Sequence, residues 1–211
     1  MKRGLLMMLV LPAMACAQVF PSRPLRLITA EAGGGNDFGA RVIAQGLTQA
    51  LGQQVIVDNR PSGSIPGTLT SRAAPDGHTL LYYGRALWTN PLFQSAPYDP
   101  LKDLAPITLV GKAPTILVVH PSVAATTVGE LIALAKAKPG ALNYASDSTG
   151  SPNHLAGELF KMMAGVNIVR IPYKGSAAAL NNLLGGEVQM TFGTAASVTP
   201  HVKAEIGRAH V

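Results

Sequence analysis

The chain has a single cysteine, Cys16, close to its N-terminus. One thiol cannot make an internal disulfide, and it rules out a cysteine-based zinc cage. Aromatic residues are 5% of the chain and charged residues 13%. Beyond Lys2-Arg3 there is no Lys/Arg run, so the sequence offers no specific case for nucleic acid. His78, His120, His154 and His201 lack metal spacing, with no H-E-x-x-H among them. His154 falls in the first turn of a predicted helix and reads as a loop-orienting or surface residue. Ser146, Ser148 and Ser151 have neither a G-x-S-x-G context nor an evident base, which excludes a serine nucleophile. The expectation is a protein that performs no chemistry and needs no metal or cofactor.

What is present begins with an export signal. Lys2 and Arg3 supply a positive n-region, Leu5–Ala15 an apolar core, and Ala15-Cys16-Ala17 a small-residue cleavage site. Cleavage before Gln18 and a periplasmic address are expected. A lipid anchor on Cys16 is the lesser alternative, because Ala13 stands where a lipobox prefers leucine. The formal charge is +6 from 17 basic and 11 acidic residues; without Lys2 and Arg3 it is 15 − 11 = +4. A mild positive excess suits a small anionic ligand.

Short apolar runs alternate with helical patterns, the signature of a parallel α/β sheet. Strands are predicted at Leu25–Thr29, Val55–Asp58, Thr79–Tyr83, Ile107–Val110, Thr115–His120, Leu142–Ala145, Ile168–Ile171 and Val188–Phe192. Helices are predicted at Asp37–Leu51, Pro66–Ala74, Val128–Lys138, Pro152–Ala164, Ala177–Leu184 and Ala195–Lys203. Thr127 and Glu130 form a capping-box pattern, and Pro139-Gly140 and Gly185-Gly186 are stops. Pro91–Pro106 reads as an irregular connection. Met162 and Met163 read as core filling.

Two loops carry the functional signal. In Asn143–Phe160 an apolar start runs through Ser146–Ser151, all small or polar, into a helix with Ser151 as N-cap and Pro152 in its first turn. Uncovered amides and the positive helix end would hold an anion there; the alternative is a well-capped helix without a ligand. The second loop is Glu31–Asp37, with Gly33, Gly34 and Gly35 between a strand and a helix striped with Phe38, Val42, Ile43 and Leu47. Three glycines permit close backbone approach, or simply a tight turn. Phe38 spoils G-x-G-x-x-G, and no Gly-Lys-Ser/Thr follows.

These loops stand among PSRPLRLI (21–28), GGGND (33–37), DNRP (58–61), AAPDGHTLL (73–81) and PYDPLKDLAPIT (97–108). LVVHPS (117–122), ELIALAKAKPGALNYAS (130–146), HLAGELF (154–160) and IPYKGSAAAL (171–180) follow in order. From about Phe20 to Ala204 the chain resembles the substrate-binding proteins of tripartite tricarboxylate transporters, the Bug family. The resemblance implies an α/β two-lobed periplasmic-binding-protein fold of the type II, Venus-flytrap kind. After a signal peptide (1–17) it implies a first lobe at 18–112 and a second at 113–204, with the return to the first lobe missing. Ile206–Val211 can be encoded by the opening of a common sequencing adapter, so 205–211 is expected to be a non-native tail.

The resemblance also implies a ligand cleft between the lobes. The first lobe would contribute Gly33, Gly34, Gly35 and Asp37, with ordered waters bridging to a ligand carboxylate. The second would hold another carboxylate on Ser148, Thr149, Gly150 and Ser151. Gly84, Arg85, Gly193 and Thr194 occupy equivalent strand ends, and Arg85 reads either as a carboxylate partner or as surface. The expected partners are a small carboxylate and membrane permease subunits, around a monomeric receptor. Rival readings are a sensor feeding a signalling receptor and an α/β nucleotide-dependent enzyme.

Overall fold

A computed structural model describes residues 20–204 and 208–210. The leader lies outside the described residues, as do 205–207 and 211 of the expected tail. Two sheets organise the chain. The first is built from β1 (Leu25–Thr29), β2 (Val55–Asn59) and β3 (Thr79–Leu81), in the order β2-β1-β3 and wholly parallel. Its helices are α1 (Gly35–Leu51), α2 (Ile65–Ser71) and α3 (Ala86–Phe93).

The second sheet has the order β6-β5-β7-β4-β8. Its strands are β4 (Thr115–Val119), β5 (Asn143–Ser146), β6 (Val169–Pro172), β7 (Met190–Thr194) and β8 (Arg208–His210). Helices α4 (Val128–Ala137), α5 (Pro152–Ala164), α6 (Ser176–Leu184) and α7 (Ala195–Lys203) alternate with them. β5 runs parallel to β6 and β7, whereas β4 is antiparallel to β7 and to β8. The all-parallel expectation therefore fails at β4. That strand arrives by an irregular connection instead of a helical crossover, so nothing forces it parallel.

Each lobe has its own core. In the first, Leu25, Leu27 and Val55 meet Ala40 and Ala44 of α1. Phe38 and Val42 of the predicted stripe are exposed, while Ile43 and Leu47 pack against this core beside Ala40 and Ala44. In the second lobe, two clusters lie on opposite faces of the sheet. Tyr144, Met190, Phe192 and Leu131 anchor one, and Val118, Ala145, Leu183 and Val198 the other. Period-two alternation places Val118 and Val119 on opposite sides, as a sheet covered on both faces requires. Met162 and Met163 are exposed rather than core, at 73% and 77%.

The capping signals operate as read. Thr127 accepts from the Glu130 amide at 3.1 Å, and Glu130 accepts in return from the Thr127 amide. Ile107–Val110 is not a strand. Ile107, Leu109 and Val110 are exposed, with no partner strand among the described residues. The predicted irregular stretch starts too early, because α3 runs through Pro91 to Phe93.

Candidate ligand-binding cleft

The second lobe's loop grows out of β5 and turns into α5. Ser151 is the N-cap, accepting from the His154 amide at 3.2 Å, and Pro152 follows in the first turn. His154 Nδ1 accepts from the Gly150 amide at 3.1 Å, so this imidazole must be unprotonated at Nδ1 and fixes the turn. Burial, then the nearby positive charge of Arg170, lower the pKa of His154 and favour that neutral form. The Ser151 amide donates to the Ser148 carbonyl. The amides of Ser148 and Thr149 donate to nothing among the described residues.

Arg170 on β6 braces this loop from below. Its guanidinium donates to Ser146 Oγ (2.7 Å), to the Asp147 carbonyl (2.9 Å) and to Thr149 Oγ1 (3.3 Å). These acceptors are neutral, so the arginine fixes the loop while lending it positive potential. We expect Arg170→Gln to lower stability by about 2 kcal/mol, read as a reduced midpoint in thermal unfolding, because three charge-assisted bonds weaken together.

Asp147 lies in the same loop. Its Oδ1 is sealed from solvent with no partner among the described residues, and so is Ser148 Oγ. Burial raises the Asp147 pKa to about 6; a hydrogen bond from Ser151 opposes the rise and the charge of Glu31 adds to it.

The first lobe meets the second through three contacts, the last of which reaches this loop. The glycine loop packs on the N-termini of α6 and α7. A Cβ added to Gly34 would stand 2.5 Å from Ser176 Oγ, and one added to Gly35 2.5 Å from Thr194 Oγ1. These glycines therefore let the lobes approach each other. Glu31 reaches across to accept from the Ser176 amide at 2.9 Å, while Ser62 also donates to it. Finally α3 leans on the Ser146–Ser151 loop, with Thr89 Oγ1 donating to the Gly150 carbonyl at 2.5 Å and Phe93 edge-on to His154.

Between the lobes lies a cavity of about 120 Å³, lined by Pro61, Ser62, Ser148, Tyr173 and Lys174. Tyr83 fixes the near wall, accepting from the Gly63 amide at 2.9 Å. Its pKa is pushed up to about 12, first by burial and then by the carboxylates of Glu31 and Asp147, against hydrogen bonds to Gly63 and Ser62.

The residues expected at the cleft are distributed unevenly. Gly33, Gly34 and Gly35 meet Ala177, Ser176 and Thr194 across the junction of the lobes, Gly150 meets α3, and Ser148 lines the cavity, whereas Thr149 and Ser151 are held within the second lobe by Arg170 and His154. Asp37 turns inward and is 6% exposed, accepting from the Gly33 amide (3.0 Å) and Asn59 (2.9 Å) and pairing with Arg41. Burial tends to raise its pKa, but those hydrogen bonds prevail and hold it below the ordinary carboxylate range. It shapes the glycine loop from within the first lobe. Arg85 is exposed, without a side-chain partner among the described residues, and Gly84 faces Asn36. Gly193 belongs to β7 rather than to a loop, because the strand runs through Thr194 directly into α7. A Cβ there would stand 2.2 Å from Val198. Glu31, Ser62, Tyr83, Asp147 and Arg170 escaped the sequence reading. Glu31 and Asp147 stand within the two loops in plain view, but only the meeting of the lobes gives them a role.

The model of the tripartite tricarboxylate transporter family receptor matches residues 39–209. The chain belongs to this family. Protein BugT of Bordetella pertussis is 39% identical over 194 residues, which are 89% of this chain and 60% of BugT. A protein encoded in the gbd 5′ region of Cupriavidus necator is also 39% identical, covering 88% of this chain and 58% of its own. The chain thus spans about three fifths of the length of these relatives. Among solved structures, R. palustris Rpa4515 with adipate superimposes with a TM-score of 0.87 at 33% identity, over 90% of this chain and 65% of that one. MatC from Rhodopseudomonas palustris, with bound malate, gives 0.82 at 26% identity, over 91% and 67%. These family receptors are binding proteins, not enzymes, and the α/β periplasmic-binding-protein fold is theirs.

Proposed function

We propose that this chain is the ligand-capturing part of a periplasmic receptor for a small organic carboxylate, serving a tripartite tricarboxylate-type transporter. One observation carries the reading. The free amides of Ser148 and Thr149 and the sealed hydroxyl of Ser148 stand at the N-terminus of α5, beside the Arg170 guanidinium and a cavity that Pro61 and Ser62 of the other lobe help to line. Amides at a positive helix end are a ready anion site. Lys174 at the cavity wall adds a second cation. A hydrogen bond to a charged group contributes roughly 1.5–3 kcal/mol, so a handful reaches the about −8 kcal/mol of a micromolar complex.

The lobe limits at Lys112 and Ala113, the leader-directed export and the permease partner belong to the same proposal. Binding would favour the state in which the lobes touch, and that state would be presented to the membrane partner. Thermal unfolding against a panel of mono-, di- and tricarboxylates, with nucleotides alongside, tests it. A carboxylate is expected to raise the midpoint by several degrees at saturating concentration, since ligand binding to the folded state stabilises by mass action. A response to nucleotides alone would overturn the proposal in favour of a nucleotide-dependent enzyme.

A further inference from the structure

Glu31 sits on a helix N-terminus, a position that suits a ligand anion. It belongs to the first lobe, at the end of β1, yet its carboxylate lies on the first amide of α6 in the second lobe. Oε1 accepts from the Ser176 amide at 2.9 Å, with Ser176 Oγ at 3.5 Å, and Oε2 accepts from Ser62. Gly175 makes room for it. With φ of +145°, this residue has no Cβ, and one would lie 2.5 Å from Glu31 Cγ and Cδ. Ser62, which donates to Glu31, and Lys174, next to Gly175, both line the cavity, so Glu31 lies directly behind its wall.

The cleft therefore has two helix N-termini that can receive an anion, those of α5 and α6, and the protein's own carboxylate fills the second. We propose that Glu31 is a specificity-determining residue: it occupies the anion position at α6, so the cavity accepts a ligand with one carboxylate and rejects a second. This rests on the carboxylate-receptor reading and narrows its ligand class. Two facts reinforce it. Glu31 and Asp147, whose Oδ1 is sealed without a partner among the described residues, already place two acidic groups at the junction, and both bear electrostatically on Tyr83 behind the near wall. A dicarboxylate would bring its second charge toward groups of its own sign. The ligand's far end is accordingly neutral or protonated.

The test uses the full chain and Glu31→Gln, with butyrate and succinate as a pair matched in carbon number, by calorimetry and thermal unfolding. The unaltered chain is expected to bind butyrate at least about tenfold more tightly than succinate. Glu31→Gln should move that ratio toward succinate by roughly ten- to a hundredfold, because the repelling charge is gone and the neutral side-chain amide is a weaker acceptor that a succinate carboxylate can displace from the Ser176 amide. Adding Ser176→Pro to Glu31→Gln removes that amide at a position where proline is tolerated, and should abolish the gain. Succinate binding to the unaltered chain as tightly as butyrate overturns the inference and leaves the receptor reading intact, whether or not the variant folds. An unchanged ratio in a folded Glu31→Gln does the same. No response to either acid, in either protein, overturns both.

Discussion

Asp147→Asn should raise the thermal midpoint at pH 8 by several degrees, and the gain should vanish near pH 4. The cause is the burial that raises the Asp147 pKa to about 6, against about 3.9 for an unperturbed aspartate. Between those values the folded protein binds a proton that the unfolded chain does not. The folded state thus gains most below the lower value and loses that gain as pH rises through the higher one. Above pH 6 the ionised side chain stands with Oδ1 unpaired beside the negative charge of Glu31. Asparagine keeps the shape and removes the charge. A displacement of about 2 pKa units corresponds at most to about 3 kcal/mol. For a protein of this size each kcal/mol moves the midpoint by about 2–4 °C, so the rise should not exceed about 10 °C.

His154 titrates in the opposite sense. Its neutral form is favoured by the fold, so acid lowers its contribution as pH falls below the ordinary histidine range. Because both proteins carry His154, the difference between them isolates Asp147. A gain from Asp147→Asn that is equal at pH 4 and pH 8 would show that the carboxylate charge is not what costs stability there.

Local patterns in the sequence report local structure faithfully. The α5 start is legible because Ser151 and Pro152 act within one turn, and the α4 start because Thr127 and Glu130 complete a reciprocal pair. The first sheet is legible because β1 is a short apolar run between turn residues. α3 was hidden for a physical reason: Pro91 lies inside it, and Leu92 and Phe93 are exposed, so neither a helical stripe nor a stop signal marks it. The apolar run Ile107–Val110 looked like a strand because composition records β preference but not the presence of a partner. At the cleft, the two glycine-bearing loops were visible, but their closest neighbours were not. Gly34 and Gly35 owe their lack of a side chain to Ser176 and Thr194, more than a hundred residues away. Arg170 was invisible because its place under the loop follows from the pairing of Tyr144 with Arg170 between β5 and β6, a register that no single strand announces.

Gly150→Val should separate folding from ligand capture, because two different penalties fall at one position. The first belongs to the second lobe alone. Gly150 has φ of +80°, where a β-branched residue is disfavoured, so the loop is strained whatever the other lobe does. That cost, about 1–3 kcal/mol, should appear as a lower midpoint. The second penalty exists only while the lobes touch. A Cβ at Gly150 would lie 3.0 Å from Phe93 Cδ2 and 3.3 Å from Thr89 Oγ1, both on α3 of the first lobe. Those contacts press the lobes apart and weaken the Thr89 hydrogen bond to the Gly150 carbonyl. If ligand is held by the touching lobes, carboxylate affinity should fall by a further ten- to a hundredfold, roughly what 1.4–2.8 kcal/mol against closure implies. Phe93→Ala tells the two penalties apart. Combined with Gly150→Val, it removes the ring from the path of the new side chain but leaves φ unchanged. The double variant should regain most of the affinity and none of the midpoint, as measured by calorimetry and thermal unfolding on the same preparations. If affinity stays low after the ring is removed, the loss arises from a distorted carboxylate loop, and contact between α3 and that loop does not govern capture.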